Sequence, residues 1–214
     1  MTPLVIAVDG PAAAGKGTLA RRLAATLSLP YLDTGLLYRA VGRLLLDAGQ
    51  DPADPLAATA AAKTLTEADL ARPDLRGPDA DLAASQVASI PGVRAALLHY
   101  QRHYGNKNGA VLDGRDIGTI VFPNADIKLF VTASVDARAR RRHAELHHRG
   151  AAISLDAVKE DLESRDQADR DRAAAPLKPA ADATLFDTTH MDAETAFSQA
   201  LELIRNRRRT SGNL

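Results

Sequence analysis

The sequence predicts an α/β fold in which a parallel β-sheet carries helices on both faces. Short apolar runs of strand type alternate with longer amphipathic segments of helix type along the chain, which is the pattern of a parallel sheet. Three of the apolar runs end in an aspartate, at Asp9, Asp33 and Asp113. Ligands of such folds bind beyond the carboxyl ends of the strands, so we expect the functional residues to lie there.

Apolar periodicity sets the order of the predicted elements. Strands are predicted for residues 4–8, 30–32, 110–113, 126–132 and 183–187, where short apolar runs occur. Helices are predicted for residues 16–27, 35–48, 82–89, 92–103, 134–149, 155–172 and 192–208, where apolar residues recur every three or four positions. Gly49 ends the second of these helices, and Pro91 separates the third from the fourth.

Composition excludes several classes of protein. The chain has 214 residues, of which 45% are hydrophobic, enough for one sizeable domain with a buried core. The absence of Cys excludes disulfides, thiolate nucleophiles and Cys-ligated metals. Lys plus Arg equals Asp plus Glu, 27 each, which disfavours nucleic acids and membrane surfaces as partners. No apolar run is long enough for a membrane span or a signal peptide. We therefore expect a cytoplasmic protein, and we take it to be a monomer.

A glycine-rich loop joins the first predicted strand to the first helix and is typical of a phosphate-binding loop. Residues 9–18 read Asp-Gly-Pro-Ala-Ala-Ala-Gly-Lys-Gly-Thr. Backbone N–H groups of such a loop and the N-terminus of the helix converge on an anion, and the lysine adds a mobile positive charge. The residues predicted to bind a nucleotide donor are Gly10, Pro11, Ala12, Ala13, Ala14, Gly15, Lys16, Gly17 and Thr18, with Lys16 also catalytic.

The loop departs from the strict pattern at one position that concerns magnesium. That pattern has Ser or Thr directly after the lysine, whereas here Gly17 intervenes before Thr18. One residue along a helix is a rotation of about 100°, so Thr18 need not contact the metal. We expect Mg²⁺ to keep most of its waters and to be held by the phosphates of the bound nucleotide, with Asp113 as a candidate for organising it. His143 and His147 have the spacing of a metal pair, but no Cys or acidic neighbour completes a site, so no metal-ligating residue is predicted.

Four further clusters of polar residues suit a second phosphorylated ligand. They lie at residues 33–39, 85–94, 113–116 and 165–172, and each contains at least one arginine. Arginine matches phosphate oxygens in a bidentate manner that lysine does not. Taken alone, the last cluster is more typical of a helix surface rich in ion pairs. Together with the other three, it becomes a candidate clamp for an acceptor.

The order and spacing of these motifs are similar to those of the bacterial cytidylate kinases. The resemblance extends over nearly the whole chain and rests on five motifs: Asp-Gly-Pro-(x)3-Gly-Lys-Gly-Thr, Leu-Asp-Thr-Gly-(x)2-Tyr-Arg, Ser-Gln-Val-Ala-(x)2-Pro-(x)-Val-Arg, Asp-Gly-Arg-Asp-Ile-Gly-Thr and Arg-Asp-(x)2-Asp-Arg-(x)-Arg-(x)3-Pro-Leu. It implies the P-loop nucleoside-monophosphate kinase fold, with a five-stranded parallel sheet in a single domain over residues 1–214. It also implies a nucleoside-monophosphate insert at about residues 36–105 and a mobile lid at about residues 138–172.

The same resemblance implies phosphoryl transfer from ATP to CMP or dCMP with Mg²⁺, and it assigns roles to the polar clusters. Ser85, Arg94 and Asp116 would read the cytosine. Thr34, Arg165 and Asp169 would hold the sugar region, and Arg39, Arg115 and Arg172 the acceptor phosphate. Arg138, Arg141 and Arg142 would be lid arginines acting on the transferring group. Arg115, Arg141 and Arg142 are therefore catalytic candidates beside the loop lysine, and Arg138 is a donor-binding candidate.

The sequence departs from the family pattern inside the insert. The family usually has a small antiparallel sheet between the positions of Thr64 and Ser85, but residues 65–84 here contain two prolines and no alternating apolar pattern. We therefore predict helix and loop there instead of a sheet. Short helices and loops are also predicted for residues 51–81 as a whole, which are rich in Ala, Asp and Pro. Arg94 persists, so recognition of the base need not be lost.

Two other functions remain open on the sequence. One is a kinase for another small acceptor, such as UMP or AMP, against which the cytosine-reading residues argue. The other is a regulatory module that binds ATP without a second substrate. Such a module gives no reason for a second set of arginines at Arg39, Arg115, Arg165 and Arg172.

Overall fold

A computed structural model describes residues 3–210, and the predicted parallel α/β fold is confirmed. Five strands form one sheet: β1 (Val5–Asp9), β2 (Tyr31–Asp33), β3 (Ala110–Gly114), β4 (Ile127–Thr132) and β5 (Thr184–Asp187). Their order is β2-β3-β1-β4-β5, and β1 pairs in parallel with both β3 and β4. The register places Asp9 beside Gly114 on one side and Phe130 on the other. The carboxyl ends of the three central strands therefore meet at one edge.

The helices also follow the predicted order, with ends that differ by a few residues. They are α1 (Lys16–Leu27), α2 (Thr34–Asp47), α3 (Pro55–Lys63), α4 (Glu67–Leu70), α5 (Pro78–Ala88), α6 (Pro91–Asn108), α7 (Val135–His148), α8 (Leu155–Asp171) and α9 (Ala193–Thr210). The sequence did not predict a π-helical turn at Ile117–Val121. Among the helices of residues 3–210, none has the length and apolar character needed to cross a bilayer.

The chain divides into two compact units, and the larger one contains the sheet. Among the described residues, this core unit consists of 3–32 and 108–210. Its hydrophobic core packs β1 and β4 against α1 and α9, with Ile6, Leu23 and Ile204 fully buried. Small and branched aliphatic side chains fill the core, as the low aromatic content of 4% requires. The packing fixes the end of β1, from which the phosphate-binding loop begins.

The smaller unit, residues 33–107, is helical beyond the last residue of β2. Helices α2 and α5 approach closely because Gly42 has no side chain: a Cβ atom there would lie 2.7 Å from the Cβ of Ala83. No strand occurs within residues 65–84, where α4 and the first part of α5 lie. The prediction that the insert lacks a sheet is therefore confirmed.

Candidate active site

The loop between β1 and α1 has the backbone conformation that a phosphate cradle requires. Gly10, Ala13 and Gly15 adopt φ angles of 149°, 58° and 88°, in the left-handed region. A Cβ atom on Gly10 would lie 1.9 Å from the carbonyl oxygen of Val131, so only glycine fits there. Gly15 precedes α1 without a side-chain cap, and no other atom lies within 4 Å of its Cβ position. The N-terminus of α1 is therefore accessible to an anion.

Side chains hold the loop through its carbonyl oxygens. The buried Lys16 donates from Nζ to the carbonyl of Pro11 at 3.3 Å. Arg138 donates from Nη1 to the carbonyl of Ala12 at 3.2 Å, and the hydroxyl of Thr188 donates to that of Ala14 at 3.1 Å. These bonds direct the carbonyl groups of Pro11, Ala12 and Ala14 towards side chains of the protein, as in a loop whose N–H groups face an anion.

Arg138 is almost completely buried, and its charge is matched by Asp166. Its Nη1 and Nη2 atoms lie 3.1 and 2.6 Å from the two carboxylate oxygens of Asp166, which is on α8. Nε donates to the carbonyl of Ala133 at 3.0 Å. Because Arg138 belongs to α7, its guanidinium links this helix to α8 and to the phosphate-binding loop. Sequence reasoning missed Asp166, because its place in a run of alternating charges resembled that of its exposed neighbours.

The other two arginines that were predicted to belong to a lid, Arg141 and Arg142, lie further along α7. Arg141 donates to the hydroxyl of Thr188 at 3.1 Å and to its carbonyl at 2.5 Å, and also reaches the carbonyl of Met191 at 3.2 Å. Arg142 donates to Glu145 one turn away at 3.0 Å. Thr188 follows β5 and is buried, and its hydroxyl contacts both Arg141 and the phosphate-binding loop. Thr188 was not predicted from the sequence, although its position directly after the carboxyl end of a predicted strand is a signal that could have identified it.

Asp113 lies beside the first turn of α1, as expected for the aspartate of the neighbouring strand. It accepts a hydrogen bond from the hydroxyl of Tyr31 at 2.8 Å. A Cβ atom on Gly17 would lie 3.5 Å from its other carboxylate oxygen, an ordinary contact distance. Thr18 is exposed on the same turn. No cluster of three or more His, Asp or Glu side chains able to hold a metal occurs within residues 3–210.

The structure brings Arg115 together with residues of the last arginine cluster. Arg115 donates from Nε to Asp169 at 2.7 Å, and Arg172 lies 3.5 Å from the other oxygen of the same carboxylate. Burial opposes ionisation of Asp169, but the charge of Arg115 and its hydrogen bond prevail and lower the pKa of that carboxyl. Arg172 also donates to two carbonyl groups in the loop after α8, whereas Arg165 pairs with Asp161 at 3.5 Å.

Asp9 and Asp116 are both next to the first residue of the π-helical turn, Asp9 through hydrogen bonds and Asp116 along the chain. Asp116 is buried and immediately precedes the turn. Asp9 accepts hydrogen bonds from the backbone N–H groups of Ile117 at 2.8 Å and Gly118 at 2.7 Å. Burial raises the pKa of Asp9 to about 6; the charge of Asp116 adds to this effect, while the two N–H groups and Lys16 oppose it.

The smaller unit carries the remaining predicted residues. Arg39 on α2 forms an ion pair with Asp81 on α5 at 2.7 Å. Arg94 on α6 donates to the carbonyl of Ala88 at 3.2 Å and lies 5.7 Å from the centre of the Tyr38 ring. Ser85 is exposed on the surface of α5, whereas Thr34 is buried in the first turn of α2. Sequence reasoning missed Asp81, because it lies in the segment that departs from the family pattern.

Comparison with known proteins places the chain in one family. The family model "Cytidylate kinase" matches residues 6–206. The chain is 63% identical over 202 residues to a cytidylate kinase of Acidiphilium cryptum, covering 94% of this chain and 95% of that protein. It is 57% identical over 204 residues to one of Granulibacter bethesdensis, covering 95% and 98%. A crystal structure of an uncharacterized protein from Eubacterium ventriosum shares the fold, with a TM-score of 0.54, 12% identity, and coverage of 94% of this chain and 98% of that one.

Proposed function

The chain belongs to the cytidylate kinase family, and we propose that it transfers the γ-phosphate of ATP to CMP or dCMP, giving ADP and CDP or dCDP. The observation that carries this proposal is the cluster of Arg115, Asp169 and Arg172 on the unit that contains the phosphate-binding loop. The loop accounts for one phosphorylated ligand. The cluster of Arg115, Asp169 and Arg172 accounts for a second phosphorylated ligand, which a kinase that transfers phosphate between two nucleotides requires.

The donor is proposed to bind at the loop, with its phosphates on the N–H groups and on Lys16. The proposed donor residues are those of the loop, Gly10 to Thr18, together with Arg138. Arg138 supports this site through the carbonyl of Ala12. Arg141 and Arg142 are proposed to neutralise charge on the transferring phosphoryl group.

Acceptor-binding residues are proposed on each unit separately. On the core unit these are Arg115, Asp116, Arg165, Asp169 and Arg172, and on the smaller unit they are Thr34, Arg39, Ser85 and Arg94. The arginines would bind the phosphate, while Ser85, Arg94 and Asp116 would read the cytosine edge. The single-domain organisation, with an insert at about residues 36–105 and a lid at about 138–172, belongs to the same proposal.

The chemistry explains why arginines and a lysine suffice and why no base is needed. The second pKa of a phosphate monoester is near 6, so the acceptor is largely dianionic at neutral pH and is itself the nucleophile. The difficulty is the approach of two anionic groups in line, with charge spreading over equatorial oxygens in a loose transition state. Lys16 and the arginines supply the matching positive charge. A supplied arginine raises the rate of related phosphoryl transfers by about 10³–10⁵.

The residues beside the loop fit a magnesium ion that arrives with ATP. The described residues offer no cage of carboxylates, but the hydroxyl of Thr18 and the carboxylate of Asp113 border the first turn of α1. Hard oxygen ligands of this kind suit Mg²⁺, which usually keeps several waters and binds through one or two protein groups and substrate phosphates. When bound, Mg²⁺ would supply positive charge that offsets the charge of the nucleotide phosphates, with Thr18 and Asp113 as the nearest protein oxygen groups. A cytoplasmic location and a monomeric state are also proposed, on the sequence expectations above.

A panel of acceptors at fixed Mg-ATP tests the proposal. ADP formation is measured with CMP, dCMP, UMP, AMP and no acceptor. We expect CMP or dCMP to give the highest kcat/KM and ADP formation without an acceptor to be negligible. A preference for UMP or AMP would identify another acceptor kinase. ATP binding without turnover on any acceptor would identify a regulatory module.

A further inference from the structure

Asp9 connects two segments that are distant in sequence. It is the last residue of β1, directly before Gly10 and the phosphate-binding loop. Its two carboxylate oxygens accept hydrogen bonds from Ile117 and Gly118, 108 and 109 positions later. Its side chain is 5% exposed, so water cannot replace these bonds at little cost.

The bonded N–H groups belong to the turn that directly follows Arg115 and Asp116. Asp169 holds the side chain of Arg115 from α8, while Asp9 holds the backbone that follows it. There is little free space around these bonds. A Cβ atom on Gly118 would lie 3.3 Å from an Asp9 oxygen and 3.2 Å from Cδ of Lys128. Gly10 is packed still more tightly, since a Cβ atom there would lie 1.9 Å from the carbonyl oxygen of Val131, so both segments joined by Asp9 are closely packed against β4.

We propose that Asp9 is a positioning residue, whose carboxylate fixes Arg115 and Asp116 relative to the phosphate-binding loop. This inference rests on the proposed function, in which Arg115 binds the acceptor phosphate and the loop binds the donor. In-line transfer depends on that separation, and a misplacement of about 1 Å can cost about 100-fold in rate. Asp9 itself need not touch either substrate.

The charges around Asp9 agree with a positioning role. The groups that act on it are Asp116 beside the turn and Lys16 on α1, and the side chain of Lys128 on β4 flanks Gly118. Burial makes ionisation unfavourable, and only two N–H groups and one lysine oppose that effect. A buried apolar side chain would avoid this cost but could not bind the turn.

The substitution Asp9→Asn tests the inference, because it keeps the size but turns one acceptor into a donor that faces an N–H group. We expect kcat to fall by about 10- to 100-fold, with a smaller change in KM for ATP. Asp126→Asn is the matched control. Asp126 accepts a hydrogen bond from the backbone N–H of Val5, at the other end of β1, at 2.8 Å, and we expect its substitution to leave kcat unchanged.

A double-mutant cycle with Arg115→Ala separates positioning from a general loss of structure. Because Asp9 is proposed to fix Arg115 as well as Asp116, adding Asp9→Asn to Arg115→Ala should cost less rate than adding it to the wild type. Equal and additive losses in both backgrounds, or an equal loss in the Asp126 control, would overturn the inference. An Arg115→Ala variant with normal kcat would instead refute the proposed role of Arg115. Should Asp9→Asn fail to fold, hydrogen exchange in the wild-type protein decides: the amides of Ile117 and Gly118, which donate to Asp9, must be protected, and rapid exchange of both overturns the inference.

Discussion

The buried pair of Arg138 and Asp166 gives the sharpest prediction on stability. Their side chains are 3% and 5% exposed, and both carboxylate oxygens accept hydrogen bonds from the guanidinium. Asp166→Asn removes the negative charge and leaves a buried arginine without its counter-charge. Breaking a buried pair in this way costs about 3–5 kcal/mol in the free energy of unfolding.

Asp161→Asn is the control, because it is the same substitution on the same helix. Asp161 pairs with Arg165 at 3.5 Å, but its side chain is 58% exposed. An exposed pair of this kind contributes at most about 1 kcal/mol.

Thermal unfolding distinguishes the two variants. For a chain of this length, 1 kcal/mol corresponds to roughly 2–4 °C in Tm. We therefore expect Asp166→Asn to lower Tm by roughly 6–20 °C and Asp161→Asn by no more than about 4 °C. Urea unfolding checks the free energies directly. If both variants unfold within about 2 °C of each other, the buried pair does not stabilise the packing of α7 on α8 as argued.

Four further predictions concern the site, the insert and the response to pH. Lys16→Met should reduce turnover at least about 100-fold in a correctly folded variant, because Lys16 acts on charge that develops during transfer; near-normal turnover would refute the donor site. Arg94→Ala or Asp116→Ala should reduce the preference for CMP over UMP more than it weakens ATP binding, since a buried polar site rejects analogues that leave its groups unpaired. Loss of ATP affinity alone would contradict that. Hydrogen exchange across residues 65–80 should show no sheet-like protection without ligand, and slow exchange in an alternating pattern would contradict the helical insert. The pKa of Asp9 in the folded protein, about 6, lies above the ordinary value of 3.8 for aspartate. The folded state therefore binds the proton more tightly, and this residue's contribution to stability rises as pH falls through that interval. Urea unfolding at pH 7 and pH 5 should show this gain in the wild type relative to Asp9→Asn, and equal responses would contradict it.

Local pattern was sufficient to predict the elements and the phosphate-binding loop. The strand and helix ends depend on apolar spacing, glycine and proline, and these signals lie within a few residues of the feature they determine. The first helix was predicted at its observed bounds, Lys16–Leu27. The missing sheet in the insert was predicted for the same reason, since residues 65–84 lack any alternating pattern.

The partners of the charged residues could not be predicted in the same way. Asp166 and Asp81 were missed because an ion pair depends on which helix faces are brought together, and several acidic residues with similar spacing competed for each arginine. The π-helical turn at Ile117–Val121 was missed because the bonds that hold its beginning come from Asp9, which is distant in sequence. Resemblance to the family supplied the roles of the arginines, which no local pattern contains.

The hydrogen bonds of Arg138 bear on where we expect the α7–α8 pair to bend during a catalytic cycle. Arg138 lies in the first turns of α7 and is bound to the loop, to α8 and to the end of β4. Val158 and Leu162 of α8 pack at the same place, with alanines of the loop against them. These contacts hold the first turns of α7 to α8 and to the phosphate-binding loop. On the proposed function, we expect closure of the predicted lid to involve its distant end, near residues 147–154, and to leave the geometry presented to the triphosphate unchanged.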